Sequence, residues 1–160
     1  MSDEAFENGM NELYQGEVLG EVLFNCMLGL FHEPEHRYKL AVMFQLETET
    51  KARLRPALMQ LGLDIVELEE SRGAGQEVAT SLEGMDWKSA MAALRDLVKP
   101  YVARYREIAD SAPPEFRAVA ESMASHEKSL FDFLELEAGG DGESAFAAIV
   151  AQLHNVLPAP

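Results

Sequence analysis

Four long stretches of this chain place apolar residues three and four positions apart, a spacing that suits an α-helix with one buried face and no β-strand. The first, Asn11 to Phe31, carries Leu13, Gly20, Phe24, Met27 and Phe31 on one stripe. The second opens near Pro34, where a missing N–H has no partner to lose, and runs through Leu40, Met43, Leu54, Leu58 and Leu61 to a stop at Gly62. The third starts from Asp86, a good N-cap, and continues to Asp110 with Trp87, Met91, Leu94, Val98, Tyr101, Tyr105 and Ile108 facing inward. The fourth follows Pro113 and Pro114 and reaches Glu137, with Phe116, Val119, Met123, Leu130 and Leu134 inward and Gly139-Gly140 as its close. Pro56 and Pro100 lie inside the second and third stretches and are expected to bend them.

The pattern predicts an all-α single domain over residues 1–160, with residues 1–10 as an N-terminal tail and 158–160 as a C-terminal one. Residues 63–85 are rich in glycine and charge and show no sustained helical period, so they read as a connection. A connection of that length fits a crossover from one end of a bundle to the other, which frees the third long helix from lying antiparallel to the second. A short fifth helix, Glu143 to Leu157, presents Phe146, Ile149, Val150 and Leu153 and is expected to cap the bundle.

Charge narrows the partners. Thirteen basic and 28 acidic residues leave a net charge of −15, a field that repels phosphate backbones and anionic lipid headgroups, so neither nucleic acid nor a membrane surface is expected as a partner. The most apolar run, Val18 to Phe31, is broken by Glu21 and Asn25 and falls short of the ~20 residues that span a bilayer. The acidic start, Met1-Ser-Asp-Glu, is unlike an export signal, and a lone cysteine, Cys26, among Phe24, Met27 and Leu28 has no disulfide partner. A cytoplasmic, reducing setting is expected.

Five polar residues fall on or beside the inward faces of the first, second and fourth long helices. Glu17 shares the stripe of Leu13 and Phe24, and Glu47 that of Met43 and Leu54, with Thr50 next on the same face. The fourth long helix adds His126 and Glu127. A carboxylate buried alone costs several kcal/mol, so each needs a cation, a proton or strong donors. Carboxylates and an imidazole drawn from several helices of a bundle are a ligand set for iron or manganese. On the third helix, Tyr101 and Tyr105 are the candidate groups facing such a cofactor, or donors that stabilise a buried carboxylate without one.

These residues resemble the ferritin-like superfamily, in particular its rubrerythrin and demethoxyubiquinone hydroxylase-type four-helix bundles. Gly16-Glu17-Val-Leu-Gly20-Glu-Val-Leu-Phe24 is similar to that group's first-helix motif, with a ligand Glu, a small residue three later and an aromatic seven later. Glu47 is placed like the first residue of the second-helix Glu-x-x-His motif. The resemblance implies a ferritin-like bundle with a long crossover between the second and third long helices. It also implies iron or manganese held by Glu17, Glu47 and His126, with Glu127 as fourth ligand, and oxidase- or hydroxylase-like chemistry. The ligand pattern is incomplete. Thr50 stands where the family has His, Met123 where it has Glu three residues before His126, and Asp96 and Glu107 lie on the outer side of the third helix. A full di-iron set cannot be assembled, which leaves a mononuclear or unusual site. The alternative is a non-catalytic bundle of the same fold that binds a small apolar ligand or a protein partner without metal. A homodimer is expected in either case, because long bundles commonly bury a second face.

His32-Glu33-Pro34-Glu35-His36 satisfies the letters of the His-Glu-x-x-His zinc motif, which needs both histidines on one face of one helix. If Pro34 opens the second helix, His32 lies outside it and the pair loses its register.

Overall fold

A computed structural model describes residues 3–160, which form six helices and, among the described residues, no strand. They are α1 (Asp3–Met27), α2 (Pro34–Gln60), α3 (Glu69–Ser81), α4 (Trp87–Asp110), α5 (Arg117–Gly139) and α6 (Glu143–Val150). No described helix is long and apolar enough to cross a membrane. Met1 and Ser2, the start of the expected tail and of the acidic terminus, lie outside the described residues.

Two antiparallel hairpins, α1–α2 and α4–α5, make up the body, with α1 against α4 and α2 against α5. Their relative direction follows from ring contacts at one end. His36, in the first turns of α2, stacks on Trp87, the first residue of α4, with ring centroids 4.1 Å apart and planes 6° apart. Both helices therefore start at the same end and run the same way, and residues 61–86 carry the chain back along the molecule.

That return is where the expected connection needs correction, because it contains α3. Gly73 and Gly75 weaken its helical signature, and α3 gains its support from α1 instead. At Gly75 a Cβ would lie 2.6 Å from the Leu19 carbonyl oxygen, so only glycine lets the two helices approach this closely. Gln15 of α1 secures the approach. Its Nε2 donates to the Val66 carbonyl at 2.7 Å, and its Oε1 accepts from the Leu68 N–H at 3.1 Å and the Ser71 hydroxyl at 2.9 Å. The buried ammonium of Lys51 joins Glu21 of α1 to Glu67 of the crossover.

Other boundaries shift for local reasons. Residues 3–10 are helix rather than tail, since Phe6 and Met10 extend the stripe of Leu13 into a cluster with Leu58, Ile108 and Phe116. At its other end α1 stops at Met27, short of Phe31, where the Met27 carbonyl accepts from both Leu30 and Phe31 in a turn. Proline interrupts neither α2 at Pro56 nor α4 at Pro100. Asp86 caps α4 by accepting from the Ser89 N–H at 3.0 Å, Gly62 ends α2 with φ +72°, and Gly140 ends α5 with φ +93°.

The last helix is shorter than expected and ends at Val150. Beyond it the chain is fastened by Glu49, whose carboxylate accepts from the His154 N–H at 2.6 Å and the Asn155 N–H at 3.0 Å. Burial pushes this carboxyl up, but these donors with Gln45 outweigh it and hold it down at about 2, from an ordinary 4.5. A depressed carboxyl adds stability that is complete above pH 4.5 and lost as pH falls toward 2. Glu49→Gln is thus expected to cost about 1 kcal/mol at pH 6.5, a figure reduced for solvent screening. Urea melts should show that deficit closing below pH 4; an equal deficit at both pH values would remove the electrostatic account.

The core falls into two apolar clusters stacked along the bundle. One holds Phe24, Leu40, Met43, Met91, Leu94, Leu130 and Phe133; the other holds Met10, Leu13, Leu54, Leu58, Ile108, Ala120 and Met123. A layer of buried polar side chains lies between them.

Candidate metal centre

The polar layer is built from Glu17 on α1, Glu47 and Thr50 on α2, Tyr105 on α4, and His126 and Glu127 on α5, all buried. One ligand atom each from Glu17, Glu47 and His126 falls within 4.8 Å of the others. Helical periodicity sets this up directly, because each residue continues an apolar stripe for one turn in polar form. Three helices thus deliver three side chains to one point.

Two glycines of α1 make the room. A Cβ on Gly16 would lie 2.2 Å from the Tyr105 hydroxyl oxygen, and one on Gly20 would lie 2.6 Å from Glu47 Oε2. The helix face that carries Glu17 is therefore bare on either side of it, and neighbouring helices reach in to fill that space. Tyr105 donates to Glu17 Oε1 at 3.2 Å, and the Thr50 hydroxyl donates to Glu17 Oε2. His126 Nε2 stands 3.2 Å from Glu17 Oε2 and 3.5 Å from Glu47 Oε1. Neither contact is aligned as a hydrogen bond, and among the described residues neither ring nitrogen of His126 has a hydrogen-bond partner.

Charge in this layer is shared unequally. Burial raises Glu17, but the His126 charge and the donors around it outweigh burial, and the carboxyl lies below its ordinary value. Glu47 goes the other way, pushed well up by burial and then by the Glu17 charge. Burial would lower the His126 imidazole, yet the two carboxylates outweigh that and hold it well above its ordinary value. Without an ion the layer thus favours charge on Glu17 and His126 and disfavours it on Glu47. Burial, helped by the Glu17 charge and opposed by His126, raises Glu127 to about 8. Tyr105 is raised by burial and by Glu17, so it stays a donor.

Of the residues singled out in the sequence, Glu17, Glu47 and His126 come together, and Tyr105 joins them through Glu17. Glu127 is buried one residue along from His126 and faces the adjoining cavity, outside the three-residue cluster. Tyr101 is the correction: it is 40% exposed and stands at the rim of that cavity, because one turn separates it from buried Tyr105 while α4 is covered by α1 only on its inner side. Thr50, which departs from the family pattern, is a working member of the layer. Gly16 and Gly20 stand in the sequence as part of the first-helix motif, with Gly20 the small residue three after Glu17; what the spacing does not show is that they make room for Tyr105 and Glu47. His32 lies in the α1–α2 turn and His36 is in α2 against Trp87, so the zinc-protease register is absent.

No family model, curated protein or solved structure matches this chain.

Proposed function

We propose that this chain is a ferritin-like bundle that holds a single iron or manganese ion between Glu17, Glu47 and His126. The observation that carries the reading is the His126 ring, wholly buried, with both nitrogens lacking hydrogen-bond partners and Nε2 set between two carboxylates. A buried polar group without an aligned hydrogen bond is costly, and an imidazole that ligates an ion gains a directed partner. Two carboxylates and an imidazole also neutralise a divalent cation and suit these metals better than softer ones. The same-way course of α2 and α4, with a crossover between them, agrees with the ferritin-like arrangement.

When bound, such an ion supplies Lewis acidity and, for iron, electron exchange with dioxygen. The protein's own residues do the rest. Thr50 and Tyr105 hold Glu17 in one orientation, Gly16 and Gly20 admit Tyr105 and Glu47, and the two apolar clusters wall the layer on its two sides along the bundle. An ion competes with protons at His126 and at Glu47, both shifted upward, so affinity is expected to rise with pH and the titration to release acid.

A second reading rests on the same donors. The Glu17 carboxylate, fed by Thr50 and Tyr105 and paired with a charged His126, is also a self-sufficient polar layer of an ion-free bundle. Metal analysis of protein purified without a chelating tag, followed by anaerobic titration with Fe(II) and Mn(II), separates the two. About one ion per chain is expected, with affinity at least about tenfold weaker in Glu17→Ala, Glu47→Ala and Gly20→Ala. Substoichiometric metal that none of these substitutions alters would favour the second reading and end the first.

A further inference from the structure

Beside the polar layer, between α1, α3, α4 and α5, lies a cavity of about 310 Å³. Interiors are normally packed with few voids larger than a water molecule, and this space is instead in the range of sites that enclose small molecules. Its walls are hydrocarbon, chiefly Leu23, Phe24, Leu94, Val98, Leu130 and Leu134. Glu17, Glu47, Tyr105 and Glu127 form its inner end. Glu12, Glu70, Ser71 and the half-exposed Tyr101 form its mouth, so the space communicates with solvent beside α3.

We propose that this cavity is a binding chamber for an uncharged, mainly hydrocarbon molecule whose one polar atom faces the Glu17–Tyr105 end. Ionisable carboxyl groups stand at both ends of the chamber, and the base near its mouth, Arg104, is occupied by Glu12 at 2.8 Å and Glu107 at 2.8 Å. An anionic ligand such as a fatty acid would have to pass Glu12 and Glu70 at the mouth and would find no free counter-charge inside, where His126 already faces Glu17 and Glu47. An organic ammonium fares little better, because the oxygens of Glu17 are already taken by Thr50, Tyr105 and His126. An uncharged molecule gains the apolar wall at no such penalty.

The chamber does not depend on an ion at Glu17, Glu47 and His126, and the test keeps the two apart. Calorimetric titrations of the full chain, with and without Mn(II), use n-decanol, decanoate and decylammonium as probes. Decanol is expected to bind at one site, at least about tenfold more tightly than either charged probe. Leu97→Trp, which fills the chamber from α4, and Ala74→Phe, which fills it from α3, should each weaken decanol binding by about tenfold or more. Two variants on separate helices keep the result readable if one fails to fold. No decanol binding, equal or tighter binding of a charged probe, or decanol affinity untouched by both substitutions overturns the proposal.

Discussion

Replacing His126 with leucine is expected to destabilise the ion-free protein by about 3–5 kcal/mol at neutral pH, the range found when one partner of a buried charge pair is removed. Leucine fills much of the volume, so cavity formation is a small part of the loss. The larger part falls on Glu17 and Glu47, left facing each other inside the bundle with no positive charge between them. Glu17, now held below its ordinary 4.5, would be driven above it in the variant and would have to take a proton.

The sign of the pH dependence follows. In the wild type, a raised His126 contributes stability that is complete below its ordinary 6.5 and is lost only as pH rises through its higher folded value. In the variant, carboxyls with raised values favour the fold below 4.5 and weigh against it as pH climbs. The gap between wild type and variant should therefore be wide at pH 7 and narrow toward pH 4.5. Denaturant melts at pH 4.5, 6 and 7 measure it. A gap that stays constant across that range would mean that packing, and not charge, sets the value of His126.

The second large effect lies in α3 and contrasts two glycines two residues apart. Gly75→Ala is expected to cost about 1–3 kcal/mol, because its Cβ would meet the Leu19 carbonyl oxygen at 2.6 Å, and backbone cannot turn aside as a side chain can. Gly73 has nothing within 4 Å of where its Cβ would be. Gly73→Ala should therefore stabilise the protein by up to about 1 kcal/mol through helix propensity alone. Thermal melts of the two variants with opposite shifts support close helix contact. A stabilised Gly75→Ala would mean that α3 does not rest on α1 as described.

That contrast also explains what could be read from the residues alone. The long helices were legible because Leu40, Met43, Leu54 and Leu58, or Met91, Leu94 and Val98, repeat at helical spacing within one segment. Glu17, Glu47 and His126 were legible for the same reason, as polar letters on apolar stripes. α3 was not, because its glycines lower local propensity and its stability comes from a neighbour some fifty residues earlier, through Gln15 and Gly75. Residues 3–10 were hidden similarly, since only Phe6 and Met10 mark the face that meets Phe116 and Ile108. The expected fifth helix, Glu143 to Leu157, stops early at Val150, and Glu49, far off in α2, claims the backbone after it. Tyr101 and Tyr105 share a stripe four residues apart, yet coverage by α1 fades along α4, and spacing carries no information about where coverage ends.

The division of the chain into two hairpins has a bearing on when the centre comes into being during folding. Glu17 and Glu47 belong to α1–α2 and meet as that hairpin closes, whereas His126 arrives from α5, on the far side of the crossover. The centre is therefore complete only when the two hairpins are joined, since neither carries both the carboxylates and the imidazole. Protection of the site against solvent exchange, or an ion's residence there, would thus register a single event, the joining of the two halves, and not the formation of any one helix.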